Sequence, residues 1–239
     1  MRKFIAEGIG AMLLILIGCG SAIIMGSATG VWGISLCFII VLLLLFYFTG
    51  HISGCHLTPA VSLAMLLSGR MRTTDFKVYI LAQILGSAAG AALLYLLLDL
   101  HPGIDVHAVM NAAPQPSPAT TVTVTITLIA ETMFTLFLLL IVFGATDDNR
   151  SFDRYAGLTV NLALCIVNAA GLGFSDFKIA NPTDLTGYIR SGGWIILVGP
   201  MIGAVAAAAC STMLSEYLSA RRRASYRHAG KQNADGSDS

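Results

Sequence analysis

The chain has few charged residues and few cysteines, and each shortage excludes a class of protein. Only 11% of its 239 residues are charged and 56% are hydrophobic, whereas about a quarter of the residues in a soluble domain are charged. The five cysteines are scattered, without the spacing of a disulfide framework or a zinc site. We therefore expect an integral membrane protein with packed free thiols, no metal site and no cofactor.

The features of an enzyme or of a nucleic-acid-binding protein are also missing. No nucleophile, base and orienting acid cluster in a loop, and no glycine-rich phosphate loop occurs. The net charge is only +1, and the basic residues form no face outside the segments that flank apolar runs. We expect neither an enzyme nor a nucleic-acid partner.

Six apolar runs are each long enough to cross a bilayer, which takes about 20 residues. They lie at about 4–25, 31–49, 76–98, 122–143, 155–172 and 194–218. The first run is too long for the core of a cleavable signal peptide. The sequence predicts an all-α membrane protein, with a channel domain over 1–218 and a basic, then disordered, cytoplasmic tail over 219–239.

The basic residues predict the orientation of these spans. All of the 14 lysines and arginines except Lys178 and Arg190 fall on one side of a six-span arrangement. Because basic residues are retained in the cytoplasm, both termini are expected to be cytoplasmic, in a multi-pass protein of the plasma membrane.

A short motif occurs twice, as Thr58-Pro59-Ala60 and as Asn181-Pro182-Thr183. In each copy a helix-capping residue precedes a proline, which is favoured at the first helical position. The apolar stretch from Pro59 ends before Gly69, and a helix of that length extends about 14 Å, half of the hydrocarbon core. Each motif therefore predicts a half-helix that begins inside the membrane.

The two halves of the chain, about 1–100 and 120–218, resemble each other. Glu7 and Glu131 lie in similar surroundings, and a Gly-xxx-Gly pair recurs as Gly86/Gly90 and Gly199/Gly203. Because each half contains three spans, the second half is inverted, and inverted repeats place their functional site near the membrane midplane. Two facing half-helix N-termini admit neutral molecules and repel cations and protons, so the pattern favours a channel for neutral solutes.

With these features the sequence resembles the major intrinsic proteins, the aquaporin and glycerol-facilitator family, over residues 4–218. The resemblance is carried by Gly50 to Gly54, His56 to Val61, Ala82-Gln83, Gly199-Pro200 and the two acids. It implies six transmembrane helices, two re-entrant half-helices and a homotetramer with one pore per subunit. It also implies a passive channel for water, with glycerol or ammonia as further small neutral solutes.

The motifs depart from those of the family, which usually has Asn-Pro-Ala twice. Thr58 can cap a helix nearly as well as asparagine, but it offers a hydroxyl in place of an amide donor. Asn181 is therefore expected to be the stronger solute-contacting donor. The family's arginine, two residues after the second proline, is replaced by Asp184 in an ungapped count. Alternatively, the arginine is deleted and Asp184 matches the acid that follows it.

Two interpretations of Asp184 stay open. It could close a capping box at the start of the second half-helix, or it could hold Lys178, which would then supply the missing positive charge of the filter. The resemblance places Phe38 at the helix-two filter site, although it could equally belong to the core. It places Asn168 or Ala169 at the helix-five site, which predicts a wider opening than in a strict water channel.

The remaining site residues are interpreted as supports of the re-entrant loops. Glu7 and Glu131 would be costly in hydrocarbon, so they should face the bundle interior. There they are expected to accept hydrogen bonds from loop backbone, with a proton relay as the alternative. His51 and His56 are expected to fix the first loop rather than to bind a metal, because no partner stands at ligand spacing.

Two functions other than a channel remain compatible with the sequence. Inverted repeats with broken helices also build secondary transporters. A structural member of the family whose altered motifs no longer conduct is the second alternative.

Overall fold

The structure is a computed structural model, and it describes residues 1–103, 121–145, 159–160, 163 and 194–235. The elements are α1 (Arg2–Leu13), a π-helical segment (Leu14–Cys19), α2 (Gly20–Ser53), α3 (Pro59–Leu67), α4 (Thr73–Asp99), α5 (Thr121–Ala145) and α6 (Ile195–Asp235). These described ranges contain no β-strand. The expected all-α class is confirmed.

The first two spans are joined at a kink within α2. Helical backbone runs from Arg2 through the π-helical segment into α2, and the chain then turns at Gly30, whose φ is 60° and ψ is −164°. Glycine adopts this positive φ without the steric cost of a side chain. The kink separates the first span from the second.

Four helical segments of the described chain are long and apolar enough to cross a membrane. They are Trp32–Ser53, Thr73–Asp99, Val124–Ala145 and Leu197–Tyr217. They coincide with the predicted runs at 31–49, 76–98, 122–143 and 194–218. The predicted run at 155–172 lies outside the described residues, apart from Thr159, Val160 and Ala163.

Helix α3 is the short helix that the first motif predicts. It begins at Pro59, ends at Leu67 and has nine residues, so it is too short to cross the hydrocarbon core. The loop before it begins after His51, which the sequence assigns to the first loop. Helix α2 continues to Ser53, because Gly54 caps it in the left-handed conformation and donates its N–H to the Gly50 carbonyl at 2.9 Å.

Helix α3 packs against the second half of the chain. Its buried residues Ala60, Ala64 and Met65 form one apolar cluster with residues of α5 and α6, among them Leu139, Phe143, Ala204 and Ala207. The small side chains on α3 and α6 allow the two backbones to approach closely. The first re-entrant helix is therefore held between the two halves of the chain.

Helix α6 continues beyond its transmembrane segment to Asp235. The sequence predicts a disordered tail over 219–239, whereas the backbone is helical up to Asp235. The alanines, arginines and lysine that follow Tyr217 favour helix by intrinsic propensity. A prediction made from charge and polarity alone leaves this propensity out.

Candidate functional site

The loop between α2 and α3 has an unusual backbone. Gly54, Cys55 and Leu57 all have positive φ, at 85°, 54° and 56°. The two non-glycine residues are in a conformation that costs about 1–3 kcal/mol each and persists only where the surroundings enforce it. The loop must therefore be held by contacts from other elements.

Glu7 of α1 supplies the main contacts. Its Oε1 accepts hydrogen bonds from the Ser53 hydroxyl at 2.6 Å and the His56 backbone N–H at 3.0 Å. Its Oε2 accepts from the Leu57 backbone N–H at 2.8 Å and from Gln83 Nε2 at 2.9 Å. A carboxylate offers about four acceptor sites. Glu7, which is fully buried, therefore has a donor for each of them.

The sequence predicts that Glu7 supports the loop. Two of the four donors are backbone N–H groups of the loop, in line with the expected support of the loop by a buried acid. The functional consequence, a conduit held open beside the loop, stays a proposal.

A second group of buried polar side chains surrounds this carboxylate. Gln83 donates to Glu7 and also to the Ser62 hydroxyl at 3.0 Å, and that hydroxyl lies 3.3 Å from His56 Nδ1. Tyr79 donates its hydroxyl to the Ser53 carbonyl at 2.7 Å, and its ring lies edge-on to the His56 ring at 5.1 Å. The loop is thus connected to α1, α3 and α4 by polar contacts that are costly to break in a buried setting.

Thr58 joins this loop to the half-helix. It is the N-cap of α3, with extended φ and ψ, and its Oγ1 accepts a hydrogen bond from the Val61 backbone N–H at 3.5 Å. Its side chain is exposed, and Pro59 follows at the first helical position. The positive end of the half-helix therefore presents the Thr58 hydroxyl, which caps its first turn.

The two histidines are placed differently. His56 lies inside the polar cluster that fixes the loop. His51 lies in the last turn of α2 and is exposed, and its ring makes no hydrogen bond to the described part of the chain. The expectation that His51 fixes the loop has no contact to support it, because α2 extends past it and the loop begins only at Gly54.

Phe38 and Glu131 are also described. The Phe38 ring lies against Gly18 of the π-helical segment and keeps part of its surface exposed. Glu131 is partly buried in α5, beside Gly199 of α6. The other predicted site residues lie outside the described residues: Asn168, Ala169, Lys178, Asn181, Pro182, Thr183 and Asp184.

Four members of the cluster were not predicted as site residues: Ser53, Ser62, Tyr79 and Gln83, of which Gln83 entered only through the family resemblance. All four are buried. The signal for Ser53 and Ser62 is that each lies within five residues of the first motif. Tyr79 gives no comparable signal, because a tyrosine near the end of an apolar run is equally typical of a membrane interface.

The comparisons with known proteins agree with this geometry. The family model described as "Major intrinsic protein" matches residues 1–210. The chain belongs to the major intrinsic protein family. Members of this family are passive channels and not enzymes, and the chain is accordingly a multi-pass membrane channel.

Several relatives resemble the chain over most of its length. Aquaporin Z of Bradyrhizobium diazoefficiens is 32% identical over 228 residues, which cover 90% of this chain and 94% of the relative. Aquaporin Z of Rhodopseudomonas palustris is 33% identical, covering 85% and 89%. Aquaporin NIP1-1 of Zea mays is 32% identical, covering 87% and 73%.

A solved structure has the same fold. The X-ray structure of the aquaglyceroporin from Plasmodium falciparum superposes with a TM-score of 0.66 at 20% sequence identity, covering 87% of this chain and 93% of that one. At this identity the likeness concerns the fold alone.

Proposed function

We propose that the chain is a passive channel for water and that Thr58 lines its conduit at the first half-helix. The proposal rests on one observation above all: the loop from Gly54 to Thr58 is held by Glu7 on one side and leaves the Thr58 side chain exposed. Irregular backbone at membrane depth is tolerated only where it is buried in protein or lines a watery cavity. Water is the solute named by the aquaporin relatives.

The charge pattern of the half-helix favours neutral solutes. The N-terminus of α3 carries roughly half a positive charge, and the second motif places another such end opposite to it in the inverted repeat. Two positive ends repel cations and protons, while water donates and accepts hydrogen bonds along the loop. Asn181 is the stronger donor in this proposal and Thr58 the weaker one.

The filter on the outer side is proposed to be wider than in a strict water channel. In this proposal Phe38 narrows the filter from α2, and Asn168 or Ala169 leaves it open from the predicted run at 155–172. Lys178 supplies a positive charge that Asp184 holds. Glycerol and ammonia are the further solutes that such an opening would admit. A wider filter is compatible with the relative from maize, aquaporin NIP1-1, and with the fold shared with an aquaglyceroporin.

The assembly is proposed to be a homotetramer in the plasma membrane with both termini in the cytoplasm. The distribution of basic residues supports this orientation, since 14 lysines and arginines include only Lys178 and Arg190 on the outer side. The exposed apolar side chains on α2 and α4 offer surface for lipid or for neighbouring subunits.

The experiment is stopped-flow light scattering of proteoliposomes shrunk by an impermeant osmolyte. We expect water permeability well above that of protein-free liposomes, with a low activation energy. Thr58→Val keeps the shape of the side chain but removes the hydroxyl, and should lower water permeability. Thr58→Ser keeps the hydroxyl and serves as the matched control. Shrinkage at the rate of empty liposomes would refute the proposed channel, and ion-gradient-driven, saturable uptake would indicate a transporter.

The role proposed for Lys178 has its own measurement. Lys178→Ala should allow protons to leak into vesicles that contain a pH-sensitive dye, because it removes the positive charge proposed for the filter. Lys178→Arg keeps the charge and should remain tight. An unchanged proton conductance in Lys178→Ala would remove Lys178 from the filter.

A further inference from the structure

Gly18 and Phe38 are in close contact across the first two spans. A Cβ atom placed on Gly18 would lie 2.6 Å from Phe38 Cε1, 2.9 Å from Cζ and 3.0 Å from Cδ1. Side chains do not tolerate carbon contacts of this length. The phenyl ring therefore occupies the volume that any side chain other than hydrogen at position 18 would need.

The backbone around Gly18 is arranged for this contact. Gly18 is buried within the π-helical segment Leu14–Cys19, and π-helical turns are uncommon and concentrate at functional sites. The Gly18 carbonyl accepts a hydrogen bond from the Ser21 hydroxyl at 2.7 Å. This bond stabilises the irregular turn, so the shallow site for the ring is built into the first span.

The direction in which Phe38 faces follows from its helix. Phe38, Leu42 and Leu45 lie on one face of α2, at spacings of four and three residues. Leu42 and Leu45 are buried and pack with Leu57 of the re-entrant loop. Phe38 continues this inner face outward from the loop, and the part of its ring that Gly18 does not cover is exposed.

We propose that Gly18 is a positioning residue for the solute filter: it lets the Phe38 ring lie back against the first span and so sets the width of the conduit. The inference deepens the proposed channel function and rests on it. In this proposal a methyl group at position 18 pushes the ring away from the first span, toward its exposed side. The conduit then narrows, and selectivity changes although position 18 touches no solute.

The test compares wild type, Gly18→Ala, Phe38→Leu and the double variant in proteoliposomes. Permeability is measured for water, urea and glycerol, and the readout is the largest of these solutes that the wild type conducts. Gly18→Ala should lower permeability to that solute by about tenfold, the discrimination that one methyl group gives in a snug site. Gly144→Ala is the matched control, because a Cβ there meets no atom within 4 Å.

The double variant separates positioning from general damage. If Gly18 acts through the ring, adding Gly18→Ala to Phe38→Leu should change permeability less than twofold. An equal loss in both backgrounds would overturn the inference, as would a Gly18→Ala variant with wild-type permeability. If Gly18→Ala does not fold, the double variant should regain a monodisperse peak in size-exclusion chromatography. Failure to regain it would also overturn the inference.

The wild type distinguishes this inference from the proposed function. Wild-type vesicles that conduct none of the three solutes would remove the channel and the filter together. A conducting wild type with no effect of either variant would leave the channel intact and remove only the roles of Gly18 and Phe38.

Discussion

The two halves of the chain use the same glycine spacing but bring different atoms together. Where α4 crosses α1, a Cβ on Gly86 would overlap the Gly8 carbonyl, and one on Gly90 would lie 2.5 Å from the Met12 oxygen. Where α6 crosses α5, a Cβ on Gly199 would lie 2.6 Å from the Glu131 Cβ. At the first crossing, an added Cβ on either glycine would meet backbone atoms. At the second crossing, it would meet side-chain atoms as well.

The buried polar residues also differ between the two halves. Glu7 is fully buried with four donors, whereas Glu131 is only partly buried. When the two glycine pairs are aligned, Gln83 corresponds to Ile196. The first half therefore carries a polar cluster that the second half cannot copy residue for residue. We therefore expect the polar cluster of the first half to hold its loop more firmly than the corresponding residues of the second half would.

The largest expected effect comes from Glu7→Gln. The new amide nitrogen would face the Leu57 N–H in one orientation and the His56 N–H in the other. Either way a backbone donor loses its acceptor, at a cost of about 1–3 kcal/mol for each donor left unpaired. We expect this loss in the free energy of unfolding, measured by SDS titration in mixed micelles, together with a fall in water permeability. Glu7→Asp keeps the charge and should recover part of both.

Glu131→Gln sharpens the comparison. If Glu131 supports the second loop as Glu7 supports the first, the two variants should lose similar water permeability. A loss confined to Glu7→Gln would mean that the repeat does not extend to the role of the acids.

The next effect is expected at the helix crossings. Gly86→Ala forces apart the backbones of α4 and α1, and overpacking of this kind costs about 1–3 kcal/mol. Gly199→Ala should cost less, because an added Cβ there would meet only the Glu131 Cβ within 3.0 Å, whereas at Gly86 it would meet three backbone atoms of Gly8. Thermal unfolding in detergent gives the ranking, with Gly144→Ala as the neutral reference. Equal shifts at both crossings would contradict the difference between the halves.

A smaller effect is expected for Tyr79→Phe. This change leaves the buried Ser53 carbonyl without the Tyr79 donor and should cost about 1 kcal/mol. The ring contact with His56 is kept, so water permeability should change little. Tyr95→Phe, on the same helix but with a more exposed ring, is the control. A large loss of permeability in Tyr79→Phe would show that the hydroxyl positions the loop directly.

The smallest effect is expected at the start of α4. Lys3 Nζ lies 2.9 Å from Asp75 Oδ2, and Arg72 lies 3.4 Å from the same oxygen. Both basic side chains are exposed and Asp75 is partly exposed, so Asp75→Asn should cost no more than about 1 kcal/mol. The difference from wild type should shrink in high salt, because exposed charges are screened. A difference that persists in 1 M salt would contradict this assignment to screened ion pairs.

Much of the fold follows from the sequence because the membrane restricts what a chain can do. Long apolar runs must be helices, and the start of α3 follows from a capping residue before Pro59. The kink at Gly30 falls in the gap between the predicted runs at 4–25 and 31–49. The π-helical segment could not be predicted, since its Gly18 packs against Phe38, which is distant in sequence. The two positive φ values at Cys55 and Leu57 are likewise set by Glu7, which is distant in sequence.

The sequence suggests some residues of the candidate site and not others. Glu7 could be identified because an isolated acid in an apolar run needs buried partners. His51 was assigned to the loop only because it precedes the first motif, and the loop begins three residues later, at Gly54. The contact between Phe38 and Gly18 joins two spans, so no local sequence pattern predicts it.

The most direct test of the account is chemical modification at Thr58. All five cysteines are first replaced, and Thr58→Cys is then treated with a small methanethiosulfonate. If the N-terminus of α3 borders the conduit, complete labelling, verified by mass spectrometry, should reduce water permeability to that of protein-free liposomes, and reduction of the adduct should restore it. Complete labelling with unchanged permeability would contradict the central claim.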